Sequence, residues 1–536
     1  MSRTWIRDPL AIYADNAERG FVVENQLITE LIPAGKAPTA PVDTTFDASS
    51  HVVLPGLINT HHHFYQTLTR SLRTALNKEL FDWLGALYPV WAHLDPEMLA
   101  AATELALAEL LLSGCTTAAD HHYLFPKGLE KAIDVQVEMA RQIGLRVVLT
   151  RGSMDLCVDD GGLPPASVVQ DPDTILADCE RVVGAYHQSG PGAMTQIALA
   201  PCSPFSVSQE VMQQSALLAE KLDLRLHTHL GETKDENDYC QARLGMRPLD
   251  YLDQCGWLQA RTWLAHGIHF SDSEITRLGQ AGVAVSHCPH SNMLLSSGLC
   301  PACSLEQAGS PVGLGVDGSA SNDASNAIEE VRAALMLQRF NSGSAAVSHT
   351  DALRWATAGG ARCLGRDDLG RIDSGLQADI ALFKLDELRH SGHDDPLAAL
   401  VQCGAHRADR VMIAGQWQVE NGRASHIDEV DLVARHSALA RRLLRRPLPL
   451  ARRHRRPHLP SPHPQYLLGR NRGQPLRHPR IHGPVRATRH RALYLWQRRH
   501  RFGARDAAVG GVPHISPGTD GQSARRQRPS GALESE

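Results

Sequence analysis

Eight short apolar runs, each followed by a stretch with helical character, constrain this chain more than any other feature. They fall at Leu54–His61, Cys115–His121, Leu145–Arg151, Gln196–Cys202, Leu224–Leu230, Thr262–Gly267, Val283–Cys288 and Val312–Asp317. Segments such as Asp95–Ser113 and Ser208–Leu222 lie between them and read as helices. Parallel strands need crossover connections, helices supply them, and eight alternating units close into an α/β fold, a (β/α)8 TIM-type barrel. In such a barrel the site forms at the C-terminal strand ends. The chemistry-bearing side chains of this chain fall there: His61 and His63, Asp120-His121-His122, Arg151, Cys202, His229, His266, His287 and Asp317.

The flanks read differently. Residues 1–56 alternate short apolar runs with Gly and Pro, as small β-strands do. After a helical stretch at Ala352–Leu364, β character returns in Asp379–Phe383 and Asp409–Val419. The expected organisation is a barrel over 57–370 and one small flanking β domain built from 1–56 and 371–440. A helix over Asp428–Arg446 closes it, and a tail spans 441–536.

Charge separates the tail from the body. Residues 441–536 hold 22 Arg, no Lys and four acids, a net of +18, which leaves the other 440 residues at −22. An acidic body repels phosphates, so nucleic-acid binding is not expected of the whole protein. No apolar run reaches 18 residues and the N-terminus has no signal-like core, so neither membrane insertion nor export is expected. Eleven cysteines, scattered apart from Cys300-Pro-Ala-Cys303, suit a reducing cytoplasm.

The triplet His61-His62-His63 ends the first run. Side chains alternate along a strand, so His61 and His63 share a face and His62 points away. Two neutral imidazoles so placed can share a transition-metal ion, with further ligands available from His229, His266 and Asp317. In His229-Leu-Gly-Glu232 the carboxylate follows three residues after the imidazole, a position suited to proton transfer more than to ligation. Each motif alone is weak, since a lone Asp before Gly usually makes a turn and a lone His usually packs. At successive strand ends they describe a metal-dependent hydrolase. A divalent ion, zinc above all, lowers the pKa of bound water towards about 7. Asp317 takes the proton, hydroxide attacks a carbon bearing an amino group, Glu232 protonates the neighbouring ring nitrogen, and His266 steadies the oxygen.

The order HxH, HxxE, His, Asp resembles the amidohydrolase superfamily in its deaminase and aminohydrolase branch, over about residues 1–440. Leu54-Pro-Gly-Leu-Ile-Asn-Thr-His61, Ser286-His-Cys-Pro-His-Ser-Asn292 and Gly375-Leu-Gln-Ala-Asp-Ile-Ala-Leu382 add to the likeness. The resemblance implies one metal ion, usually zinc and sometimes iron, held by His61, His63, His229 and Asp317, with Glu232, His266 and Asp317 catalytic. Binuclear members often carry a carboxylated lysine at strand four. Here that strand reads Ala198-Leu-Ala-Pro-Cys202, and none of the seven lysines sits at an expected C-terminal strand end.

The same resemblance points to the substrate. Gln66 stands where guanine deaminases read a purine edge, although a solvated loop amide accounts for it equally well. Cys202 stands where guanine deaminases carry Arg and related enzymes often carry His. Trp83, Tyr88 and Trp91 follow at helical spacing, usually a core pattern, though in the family this region shapes the pocket. Trp91, His122 and His287 are therefore candidate substrate contacts, His287 together with Asn292 also bracing the site. The stretch His61–Arg70 is most similar to members that convert 8-oxoguanine to urate and ammonia. Enzymes that strip alkylamines from hydroxylated s-triazines are near, and isocytosine and guanine are alternative substrates. The expected partner is a small heterocycle, and a homo-oligomer is implied by the resemblance alone.

From about residue 447 apolar periodicity ends, and twelve prolines fall within 441–536, too many for long helices or central strands. Such a segment buries too little apolar surface to offset its ordering entropy. Arg without Lys is what a GC-rich gene yields when read out of frame, so a frameshifted, disordered tail is expected, against the alternative of a basic arm for nucleic acid. Truncation near residue 440 should leave kcat/KM and metal content intact. A truncation that abolishes activity, together with a clean in-frame read of the gene's 3′ end, would overturn this expectation.

Overall fold

In the computed structural model, which describes residues 2–446, eight parallel strands close on themselves. They are β1 (Leu57–Asn59), β2 (Cys115–His122), β3 (Arg146–Ser153), β4 (Thr195–Pro201), β5 (Leu226–Leu230), β6 (Thr262–His266), β7 (Ala284–His287) and β8 (Val312–Leu314). Leu314 of β8 pairs with Asn59 of β1 and closes the ring. Helices cover the outside. Pro96–Leu112 starts at Asp95, whose side chain accepts from the Met98 N–H, and Gln209–Leu222 starts at Ser208, which accepts from the Val211 N–H. These caps satisfy donors that a helix start leaves unpaired.

The first expected strand is in fact two. His51–Pro55 runs antiparallel to Ile380–Lys384 in a flanking sheet, and β1 begins after Gly56. A Cβ on Gly56 would lie 2.1 Å from Thr116 Oγ1, so the chain passes from sheet to barrel only where no side chain stands. Both strands are fully buried, which is why they read as one apolar run. His61–His63 consequently sit beyond the strand, and their directions are set by the loop rather than by the pleat.

The flanking region holds two sheets rather than one. Four N-terminal strands form the first, in the order Leu27–Leu31, Gly20–Glu24, Arg3–Arg7, Thr44–Asp47. The second interleaves both chain ends, with Ala11–Ile12 and His51–Pro55 beside Ile380–Lys384, Arg410–Ile413, Gln416–Glu420 and Arg423–Ala424. Ile6, Phe21, Val23 and Ile28 of the first sheet pack with Val53, Ile380, Leu382 and Met412 of the second.

The closing helix spans Glu429–Leu444, so a boundary at 440 falls inside it. Arg442 pairs with Asp95 and Glu97, and Arg446 pairs with Asp95. A truncation that spares the fold therefore has to follow Arg446. The remainder of the expected tail, 447–536, lies outside the described residues. Among the described residues no helix is long and apolar enough to cross a membrane.

One buried ion pair joins barrel to flank. Arg146 at the start of β3 donates from Nε and Nη2 to the two Asp379 carboxylate oxygens, both at 3.0 Å, and from Nη1 to the Gly192 and Ala193 carbonyls at 2.8 Å. Asp379 Oδ1 also accepts from the Ala414 N–H at 2.8 Å. Removing one partner strands a buried charge. Arg146→Leu should cost about 3–5 kcal/mol in denaturant unfolding, and adding Asp379→Leu should restore part of that loss.

Candidate metal centre and active site

Three imidazoles meet at the C-terminal mouth of the barrel with their protons already committed. His63 Nδ1 lies 2.7 Å from the His121 carbonyl, and His229 Nδ1 lies 2.7 Å from the Cys202 carbonyl. A carbonyl only accepts, so both rings carry their proton on Nδ1 and leave Nε2 bare. The two Nε2 atoms are 3.2 Å apart. Burial drives both rings towards the neutral form, His229 down to about 3. Two lone pairs that close repel unless a cation lies between them. His61 Nε2 is buried and has no hydrogen-bond partner, and it lies 3.4 Å from Asp317 Oδ1, with His63 Nε2 at 3.3 Å from the same oxygen. Bonds of about 2.0–2.1 Å to a tetrahedral ion separate neighbouring ligands by about 3.3–3.4 Å. His61, His63, His229 and Asp317 could thus hold one transition-metal ion. The donor set, imidazole nitrogens with one carboxylate, suits zinc or iron.

Asp317 is prepared as an anion. Its Oδ2 accepts from Ser291 Oγ at 2.5 Å and Ser321 Oγ at 3.2 Å, and Oδ1 accepts from the Gly318 N–H at 2.7 Å. Burial alone would raise this carboxyl, but with these donors and with His266, the imidazole of the group biased towards its cation, beside it, the carboxyl lies well below the usual range. His266 Nδ1 lies 3.0 Å from Asn292 Oδ1, which turns Nε2 towards Glu232 Oε2 at 3.6 Å and Asp317 Oδ2 at 3.9 Å. Burial alone would lower the His266 pKa, but the carboxylates of Glu232 and Asp317 leave it raised. Burial pushes Glu232 up to about 7. His266 and Asp317 adopt left-handed backbone, with φ of 71° and 61°. Such conformations cost on the order of 1–3 kcal/mol each in a non-glycine residue and persist where surrounding packing imposes them.

Glu232 sits on a loop held by a residue that sequence reasoning missed. Buried Glu236 accepts from the Gly231 N–H at 3.0 Å and the Glu232 N–H at 2.9 Å. In sequence it looks like one more surface acid in Lys234-Asp-Glu-Asn-Asp238. His121, to which sequence reasoning gave no role, also joins the histidine cluster, stacked on His229 at 4.7 Å.

A cavity that opens to solvent lies above these groups. Leu80, Trp83, Leu84, Tyr88, Phe205 and Leu295 form its walls, and Gln66, Tyr123, Cys202 and Ser321 are the polar lining beside the metal-centre residues. Among the described residues no Lys or Arg lines it. Gln66 lies over Gly318, where a Cβ would come within 1.9 Å of its Oε1. Cys202 is present as a neutral thiol, pushed up to about 12 by burial.

Three expected substrate contacts do not line the cavity. Trp91 is turned into the core, where its Nε1 donates to Thr69 Oγ1 and its ring packs on Tyr65, Trp83 and Tyr88. Along that helix it is Trp83 and Tyr88 that face the cavity. His122 donates from Nε2 to the Leu124 carbonyl at 2.7 Å and packs on Tyr65 and Phe125. His287 is fully buried and is not among the residues that line the cavity.

Residues 52–418 match the amidohydrolase family. The chain belongs to the amidohydrolase family. Its amidohydrolase relatives include the 8-oxoguanine deaminase of Pseudomonas aeruginosa, 61% identical over 447 residues, which covers 83% of this chain and all of that protein. The hydroxydechloroatrazine ethylaminohydrolase of Pseudomonas sp. strain ADP is 37% identical over 398 residues, covering 73% and 82%. Among solved amidohydrolase structures, the atrazine chlorohydrolase of Arthrobacter aurescens complexed with zinc superposes with a TM-score of 0.77 at 31% identity, covering 82% of this chain and all of that one. The chain is a metal-dependent hydrolase of the deaminase type.

His62 tests the geometry. Its Nε2 faces Ser325 Oγ at 2.9 Å, away from the cluster. His62→Asn should leave metal content unchanged by elemental analysis, whereas His63→Asn should lose most of the bound ion.

Proposed function

We propose that this protein hydrolyses 8-oxoguanine to urate and ammonia, using one zinc ion held by His61, His63, His229 and Asp317. The observation that carries the substrate is the end-to-end 61% identity with an 8-oxoguanine deaminase. The cavity supports it: apolar and aromatic walls, with no Lys or Arg among the described lining residues, suit a flat, uncharged heterocycle better than a nucleotide.

When bound, the ion supplies Lewis-acid activation of water. The chain's own residues do the rest. Asp317 accepts a proton from the attacking water. Glu232, protonated near neutrality because burial raises its carboxyl, donates to the ring nitrogen next to C2. A C2–O bond forms, Asp317 passes its proton to the amino group, the C2–amino bond breaks to release ammonia, and Glu232 takes up the hydroxyl proton as the C2 carbonyl forms. His266 hydrogen-bonds the attacking oxygen, and Glu236 holds the loop that aims Glu232. Gln66, Tyr123 and Ser321 present hydrogen-bonding groups to the substrate rim, and Cys202 offers a small neutral wall. The proposal includes homo-oligomer assembly, checked by light scattering, and a reducing compartment, in keeping with eleven unpaired cysteines. The s-triazine aminohydrolase relative favours a second reading, in which the substrate is an aminated triazine.

Ammonia release from 8-oxoguanine, guanine, isocytosine and hydroxylated s-triazines separates these readings. Chelation should abolish turnover and zinc should restore it. Glu232→Gln should retain zinc and lose about 10²–10⁴-fold in kcat, because an amide moves no proton. Near-normal turnover would remove Glu232 from the reaction. Cys202→Arg should lower the 8-oxoguanine to guanine ratio of kcat/KM, and an unchanged ratio would reduce Cys202 to packing.

A further inference from the structure

Beneath the metal centre, inside the barrel, a second histidine of β5 is aimed at a ligand. His227 and His229 are two residues apart on one strand and so share its inner face, His229 at the mouth and His227 one level deeper. His227 Nδ1 lies 2.8 Å from the Trp263 carbonyl of β6, and its Nε2 lies 2.8 Å from His61 Nδ1. The His227 ring is stacked on the Trp263 indole, with centroids 4.3 Å apart and planes at 13°. Trp263 Nε1 donates at 3.1 Å to the carbonyl of Thr60, the residue before His61.

The direction of each bond follows from one fixed point. The Trp263 carbonyl only accepts, so His227 carries its proton on Nδ1. His227 is 1% exposed, and among the described residues its ring bonds only the Trp263 carbonyl and His61, with no carboxylate to balance a charge, so its Nε2 is an acceptor. The proton between the two rings therefore belongs to His61 Nδ1. That leaves His61 Nε2 as a bare lone pair on the side of Asp317 Oδ1. His63 and His229 are set directly by carbonyls, whereas His61 reaches its carbonyl only through a second imidazole. The Trp263 contact to Thr60 ties the same unit to the backbone that carries His61.

We propose that His227 is a positioning residue that fixes the tautomer and ring orientation of His61 and so sets the affinity of the chain for its metal ion. The inference rests on the metal reading above. A histidine ligand whose second nitrogen is held by an acceptor is a stronger and better-aimed donor, and loss of such a partner typically weakens metal binding about 10–100-fold.

The test is zinc affinity, measured on the full chain by competition with a chromophoric chelator. His227→Phe keeps a flat ring against Trp263 but removes the acceptor, and His227→Gln restores an acceptor oxygen. Zinc should bind about 10–100-fold more weakly to the Phe variant and within about threefold of the unsubstituted affinity in the Gln variant. Equal affinity in all three proteins, or equal weakening in both variants, overturns the relay while leaving the metal reading intact. Failure of the unsubstituted chain to bind zinc overturns both. Should the Phe variant not fold, ¹⁵N-histidine spectra of the unsubstituted zinc protein decide alone. Protons on Nδ1 of both His61 and His227 support the relay, and a proton on His227 Nε2 overturns it.

Discussion

Everything at the mouth of the barrel follows from where three imidazole protons sit. Main-chain carbonyls at His121 and Cys202 capture the Nδ1 protons of His63 and His229, and the Nε2 lone pairs are left facing each other across 3.2 Å. In an apolar interior that arrangement is unfavourable without a positive charge. The fold therefore builds a site whose own groups repel until a cation arrives, and the carboxylate of Asp317, held anionic by Ser291, Ser321 and the Gly318 N–H, supplies the balancing charge. Barrel strands fix the carbonyls, so the same hydrogen bonds that close the sheet decide the protonation of the ligands.

The reaction groups obey the same logic. Glu232 and Asp317 share a buried space and are pushed in opposite directions, Glu232 towards its acid form and Asp317 towards its anion. Burial raises both carboxyls; at Asp317 hydrogen-bond donors and the nearby His266 outweigh it, whereas at Glu232 burial prevails. Two carboxyls biased in opposite directions within one cavity are suited to opposite proton transfers. Left-handed backbone at His266 and Asp317 marks where the strand ends were bent to bring these groups together.

Much of this was legible in the sequence because the signals were local. Short buried strands announce themselves as apolar runs, and a polar residue closing such a run stands at a barrel mouth, so His61, His63, His229, His266 and Asp317 could be gathered before any coordinates. Other features needed three dimensions. The His51–Asn59 stretch is buried throughout, so nothing local marks the change of sheet at Gly56. Trp91 exchanges places with Trp83 and Tyr88 because helical spacing gives a face without saying which face meets the cavity. Glu236 hides in a polar helix start, and its burial shows only once the loop folds over it. His227 did leave a trace, since His227-Thr-His229 repeats the spacing of His61-His-His63, but a histidine in mid-strand is indistinguishable from a packed one until its partner is seen.

The interleaved flanking sheet has a consequence for how the molecule is born. His51–Pro55 pairs with Ile380–Lys384, and Arg146 waits for Asp379. A ribosome therefore releases β1 through β8 before the Ile380–Lys384 partner of His51–Pro55 exists. Long-range pairings of this kind are slow to form and leave strand edges open meanwhile. Until the last sheet strands emerge, the nascent chain carries an uncovered edge at His51–Pro55 and a charge at Arg146 without its counterion. The vulnerable interval of this fold lies in its assembly, between the making of an edge and the making of the strand that covers it.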